Sequence, residues 1–363
     1  MQLLRTFLIV GFFLSAVPFS FGQTTWTAGA NTGLYSTAGN WNNGVPSTGP
    51  QLSIFDGNAL INQIRTIDIA GTPRNSIGIR FDFTAADDGF TFNSSGTGVN
   101  IGLQSRAGGA INGILNNDNS TQIINVPFRM FTSAGAAGAG AAQTISAASG
   151  DIIFSGNYPG TSTNSTIHNN GGDLTVDGTF NTTVGTTGRG DIFGPGGLVK
   201  NGAGRLTLGG TMANTYSGGT VLNAGTATLA KANALGSGRL TLNGGLLETG
   251  GFSQTLGTLN LDSNSTIDFG AGDSDLAFAD SDAEDWTGGL LTIVNWTDGV
   301  DSLRIGNDGT GFDTQVEQIR FADYGNAPGQ IDANGFVSPI PEPSTWALIV
   351  LGGVAWAFLR RRA

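Results

Sequence analysis

The sequence predicts an all-β solenoid with one apolar helix at its C-terminal end. Short runs of alternating apolar and polar residues follow one another, such as Ile77-Gly78-Ile79-Arg80-Phe81 and Leu174-Thr175-Val176. A period of two puts one face in a core and the other in water. The pentapeptide Gly-Arg-Leu-Thr-Leu occurs unchanged at 204–208 and 238–242, with weaker copies from Gly172 and Gly257. A glycine turn followed by a Leu-x-Leu strand cannot bury its face alone, whereas stacked copies bury it continuously. No stretch before the tail has a helical period.

The two ends set the frame. Residues 1–22 hold one charge, Arg5, an apolar run over 7–17 and small residues at Ser20 and Gly22. That is the pattern of a secretory signal peptide, with cleavage expected at Gly22–Gln23. The other end reads Pro339-Ile340-Pro341-Glu342-Pro343-Ser344-Thr345, then apolar residues to Leu359, then Arg360-Arg361-Arg362. Alternating prolines make a stiff extended spacer, and Ser344 or Thr345 is placed to cap a helix. Residues 344–359 would span roughly 24 Å at ~1.5 Å per residue, short of a hydrocarbon core of about 30 Å. Taken alone the segment reads equally as a buried helix or a short span; its terminal position and the arginine stop favour the membrane. The expected division is signal peptide 1–22, solenoid body 23–324, linker 325–338 and tail 339–363.

Composition agrees with export. The chain has no cysteine, so neither disulfides nor thiolate metal sites stabilise it. Its formal charge is −11, and without Arg5 and Arg360–Arg362 the balance is 12 − 27 = −15. With Lys200 and Lys231 as its only lysines, such a chain is a poor nucleic-acid binder.

In chain order, Trp26 and Asn40-Trp41-Asn42-Asn43-Gly44-Val45-Pro46 suggest aromatics covering the open end of a solenoid. An exposed Trp41 would instead stack on a sugar. Short strands fill 61–193, interrupted by an Ala/Gly insert at 134–142. Glycine corners supply positive φ where the coil bends, and Asn214 and Asn223 are candidates for stacking along them. Beyond 259 the pattern turns acidic, and Trp286, Ile293 and Trp296 read as a closing layer of core.

Two stretches resemble known families. Pro341-Glu342-Pro343, a short apolar helix and the Arg360–Arg362 tail resemble a PEP-CTERM sorting signal over about the last 25 residues. The resemblance implies processing by a membrane-embedded exosortase, with transient residence in the inner membrane of a Gram-negative bacterium that makes exopolysaccharide. Residues 198–229 resemble the autotransporter-associated β-strand repeat, through Lys200-Asn201-Gly202, Leu206-Thr207-Leu208, Asn214-Thr215-Tyr216-Ser217-Gly218-Gly219-Thr220 and Asn223-Ala224-Gly225-Thr226. That resemblance implies a right-handed parallel β-helix on a secreted or surface protein. Nothing after Ile331 reads as the barrel strands of a true autotransporter.

Candidates for chemistry are sparse. Asp273 and Asp275, in Gly270-Ala271-Gly272-Asp273-Ser274-Asp275-Leu276, come near a glycine-aspartate calcium turn with one residue too many before the leucine. Asp173 with Asp177 and Asp273 with Asp275 have the local spacing for paired-carboxylate glycoside hydrolysis, but neither pair has aromatics or arginines around it. The single histidine, His168, falls in a turn region. The reading is therefore a non-enzymatic, structural or adhesive surface protein that needs no cofactor. A carbohydrate-active β-helix enzyme and a calcium-dependent adhesin are the alternatives.

Overall fold

Alternating strands too short to stand alone are wound into a coil. The computed structural model describes residues 22–341 except 31, 33, 44, 47–50, 56–65, 70–73, 83–88, 95–98, 106–112, 133–141, 157–165 and 287. Leu174–Gly178, Thr182–Val184 and Ile192–Gly194 make one coil, with one strand in each of three columns. Leu198–Lys200, Arg205–Leu208 and Thr215–Tyr216 make the next. Each pairs in parallel with its counterpart one coil earlier. The chain is a parallel β-helix.

The first column is a ten-stranded sheet running from Gly22–Thr25 to Leu259–Ser263. Its interior row contains Leu174, Leu198, Thr220, Leu240 and Leu259, stacked in register. The second column stacks Thr182, Leu206, Ala227, Leu247, Ile267 and Ile293 in the same way. All are buried, and each large aliphatic side chain there contributes about 1.5–3 kcal/mol by leaving water. A void of about 10 Å³ lies beside Leu198, Leu206, Ala227 and Leu247, about the room of one water.

Coil length in the first column is longest between Gly78 and Gly113 and falls to its shortest by Leu259, and in the second column it rises again to 26 residues from Ile267 to Ile293. One coil takes 35 residues from Gly78 to Gly113 and 31 from Gly113 to Thr144. It then takes 24 from Leu174 to Leu198, 22 to Thr220, 20 to Leu240 and 19 to Leu259. The two identical pentapeptides are therefore not equivalent positions. Arg205–Leu208 lies in the second column, whereas Leu240–Asn243 lies in the first. Their spacing of 34 residues is one coil plus the two corners that lead from the second column through the third to the first, so the sequence repeat is out of phase with the structural one.

Corners are fixed by glycine and asparagine. Gly202 and Gly225 adopt φ +64° and +70°, and a Cβ on Gly225 would fall 2.5 Å from the carbonyl oxygen of Gly202. Asn223 Nδ2 donates to Asn201 Oδ1 at 2.7 Å, and Asn243 Nδ2 donates to Asn223 Oδ1 at 3.0 Å. Asn223 thus stacks along a corner as expected. Asn214 instead turns inward.

Both ends are closed. At the start, Trp26 and Trp41 form an antiparallel bridge and meet edge to face at 5.2 Å, against Tyr35 and Phe55. Trp41 is 5% exposed and donates Nε1–H to the Tyr35 carbonyl, so the exposed sugar-stacking alternative does not hold. At the far end Trp286 packs on Phe312, and Trp296 on Phe269 and Phe321, in the same buried cluster as Ile293. The stretch expected as a linker belongs to the fold. Ala327–Ile331 and Phe336–Pro339 run antiparallel to each other and to the last parallel strands, joining two columns into one sixteen-stranded sheet. Antiparallel strands set across the final edges stop further strands from adding there.

The expected signal peptide lies outside the described residues but for Gly22. So do Glu342, Pro343, the helix at 344–359, Arg360–Arg362 and nearly all of the Ala/Gly insert. Among the described residues no helix is long and apolar enough to cross a membrane.

Candidate functional site

The repeated outer faces are the first candidate. On the second column Ile153, Thr183, Thr207, Thr228, Glu248 and Asp268 succeed one another in register, all half-buried. Strand spacing sets these side chains about 4.8 Å apart. Arg205 bonds both Thr228 and Glu248 across this row. Burial pushes the Glu248 carboxyl up, but hydrogen bonds from Arg205 and Thr228 and the arginine charge outweigh it and hold it below the ordinary value. After Ile153 the row presents three hydroxyls and then two carboxylates.

The acidic loop is braced rather than open. Asp268 Oδ1 accepts from the backbone of Gly270 at 2.8 Å and from Asn295 Nδ2 at 2.7 Å. Asp275 accepts from Ser302 at 2.7 Å, while Asp273 is exposed. Among the described residues no three His, Cys, Asp or Glu side chains converge in a way that would hold a metal ion. The melting midpoint is accordingly expected to be the same in EDTA and in millimolar calcium. A large rise with calcium, as ligand binding to the folded state produces, would make this loop a site.

The carboxylates considered for hydrolysis also serve the coil. Asp173 Oδ1 accepts from the Gly197 backbone and Asp177 Oδ1 from that of Gly178, both at 2.8 Å. His168 lies in a strand, Ile167–Asn169, not in a turn. It sits in register with Arg129 on one side, and its ring meets that of Phe193 at 4.8 Å on the other. Burial, then the Arg129 charge, lowers its pKa and so favours the neutral imidazole.

Sequence reasoning missed the lysines. Both are buried inside corners, Lys200 at 2% and Lys231 at 7% exposure. Lys200 Nζ donates to the carbonyls of Asn201, Gly202 and Ala224, in space left by the missing side chain of Gly225. Burial lowers its pKa from 10.5 to about 8 against the opposing charge of Asp177. Buried Tyr216, bonded to Thr220, is raised from 10.0 to about 12. Between about pH 8 and 10 the unfolded chain keeps a lysine proton that the folded chain has lost, so stability rises with pH there. Above about pH 10 the tyrosine acts in the opposite sense. The melting midpoint should climb from pH 7.5 to 9.5, and Lys200→Met should flatten the climb. Equal slopes in the two proteins would contradict this assignment.

Comparison with known proteins agrees with these features. Residues 198–226 match the passenger-associated transport repeat, a stretch that holds the 22-residue coil from Leu198 to Thr220. Residues 339–362 match the PEP-CTERM protein-sorting motif. The chain carries both elements. It is also 30% identical over 154 residues to the autotransporter adhesin BmaC of Brucella suis biovar 1 (strain 1330), a match covering 40% of this chain and 4% of that protein. The match thus spans a small part of the relative's length, and none of these similarities is to an enzyme family. No solved structure matches the chain.

Where the sorting motif leaves the body is visible. The Ile340 backbone N–H donates to the Pro328 carbonyl at 3.0 Å, and Pro341, next along, is exposed. The motif begins directly at the end cap.

Proposed function

We propose that the chain is an exported structural or adhesive protein of the surface or exopolysaccharide matrix of a Gram-negative bacterium. In this reading the tail addresses it to an exosortase-type processing enzyme, with a transient stage in the inner membrane. The observation that carries the reading is a β-helix closed at both ends, with its polar groups set out in repeating rows, that hands over directly to a sorting motif. Rows of hydroxyl, amide and carboxylate groups at strand spacing suit many weak, repeated contacts with a polysaccharide better than one deep site does. An acidic surface also limits contact with nucleic acid.

Incubation with a panel of acidic polysaccharides tests this. Retention of the protein on at least one polymer, with polymer length unchanged, is the expected result. Shortening of any polymer would replace the reading with that of a carbohydrate-active enzyme.

A further inference from the structure

We propose that Lys231 and Asn214 form an intramolecular isopeptide bond that ties two successive coils of the β-helix together. Asn214 immediately precedes the strand Thr215–Tyr216, and Lys231 follows the strand Thr226–Leu229 of the next coil. Lys231 Nζ lies 3.0 Å from Asn214 Oδ1, one covalent bond short of the amide carbon. It also donates to the Gly190 carbonyl at 2.8 Å, which holds the amine in place from the coil before. The backbone N–H of Ile192 donates to the same Asn214 Oδ1 at 2.9 Å, where negative charge would gather during attack. Asp191, between Gly190 and Ile192, is 6% exposed, and Asn214 is 4% exposed. Its charge acts on Lys231, and Arg189 pairs with it at 3.1 Å.

A nucleophile and a polarised carbonyl are thus in contact, beside a buried carboxylate that is held by Arg189 and Thr166 and whose charge reaches the amine, while Asn214 Nδ2 donates to the Ala234 carbonyl. Burial lowers the Lys231 pKa from 10.5 to about 8, against the charge of Asp191, so part of the amine is free base near neutrality. The nitrogen lone pair attacks Asn214 Cγ and forms the C–N bond, and the carbonyl pair moves onto Oδ1 under the Ile192 N–H. The Asp191 carboxylate takes the proton shed by Nζ and passes it to Nδ2. Collapse then breaks the Cγ–Nδ2 bond. Primary amine and primary amide become a secondary amide and ammonia, with no oxidant or reductant involved. In a chain without cysteine, such a bond would do what a disulfide does in other exported proteins.

The full-length protein, purified, digested with trypsin and weighed, tests this. The expected product is one peptide spanning 206–239, uncut after Lys231 and lighter by one ammonia than its sequence mass. Chymotrypsin should open it within 215–230 into a branched pair, which distinguishes it from ammonia loss by succinimide formation at an asparagine. Asp191→Asn should slow its formation on the order of a hundredfold while circular dichroism still reports β-structure. Linear peptides 206–231 and 232–239 from wild type held at pH 9 would overturn the proposal. Undiminished linkage in Asp191→Asn would overturn it equally.

Discussion

Leu206→Asp is expected to melt the middle of the coil. Leu206 is 0% exposed and stacks between Thr182 and Ala227 inside the second column. Losing a buried leucine costs about 2–5 kcal/mol, and an unpaired carboxylate in its place raises that cost further. In a solenoid each coil leans only on its neighbours, so the damage should begin locally. Limited proteolysis should find new cleavage within 198–229, and the denaturant midpoint should fall by an amount equal to several kcal/mol. Leu240→Asp, 1% exposed in the first column, should behave alike. Thr207→Asp, half-buried on the outer face, should be far milder. Comparable effects at 206 and 207 would mean that the alternation does not separate inside from outside.

Trp26→Ala should open the starting end of the coil. The indole is fully buried, 5.2 Å from the ring of Trp41 and 6.1 Å from that of Phe55. Removing a buried aromatic of this size costs about 3–5 kcal/mol. A second effect is specific to the architecture. The strand Gly22–Thr25 is the outermost of the first column, and the 40–43 segment shields it through Asn42 and Trp41. With the cap loosened, that edge becomes a template for pairing with another chain. Lower thermal stability together with concentration-dependent light scattering is the expected pair of results. A lower midpoint with no scattering would show that the aromatics add stability without guarding the edge.

The sequence made the β class legible because period-two alternation has one physical meaning, and inward leucines and end-capping tryptophans followed from it. The phase of the coil was not legible. Each Gly-Arg-Leu-Thr-Leu copy satisfies the rule for a strand after a glycine corner, and any corner will do, so identity of sequence did not mean identity of column. The final strands at 327–331 and 336–339 were hidden by their Gly and Pro, and by a need for antiparallel partners far off in the chain. His168 was hidden because three-residue strands flanked by glycine look like turns. The lysines were missed for a different reason. Buried ammonium groups are rare, and only the ring of corner carbonyls around Lys200, and the Gly190 carbonyl with Asn214 Oδ1 at Lys231, makes them tolerable. Nothing in local sequence announces that ring.

The central claim is that a self-sufficient coil is handed to the exterior by a processed tail. By its length in sequence the tail's apolar segment is short for a permanent span, and we propose that Pro341-Glu342-Pro343 is read as a defined epitope, which a plain anchor would not need. The most direct measurement is the mass and cellular location of the mature C-terminus, in wild type and in Pro341→Ala with Glu342→Ala. The account predicts wild-type protein outside the cell with residues 346–363 removed, and the double variant full-length in the inner membrane. Wild-type protein retaining Arg360–Arg362, with the double variant in the same place, would contradict it.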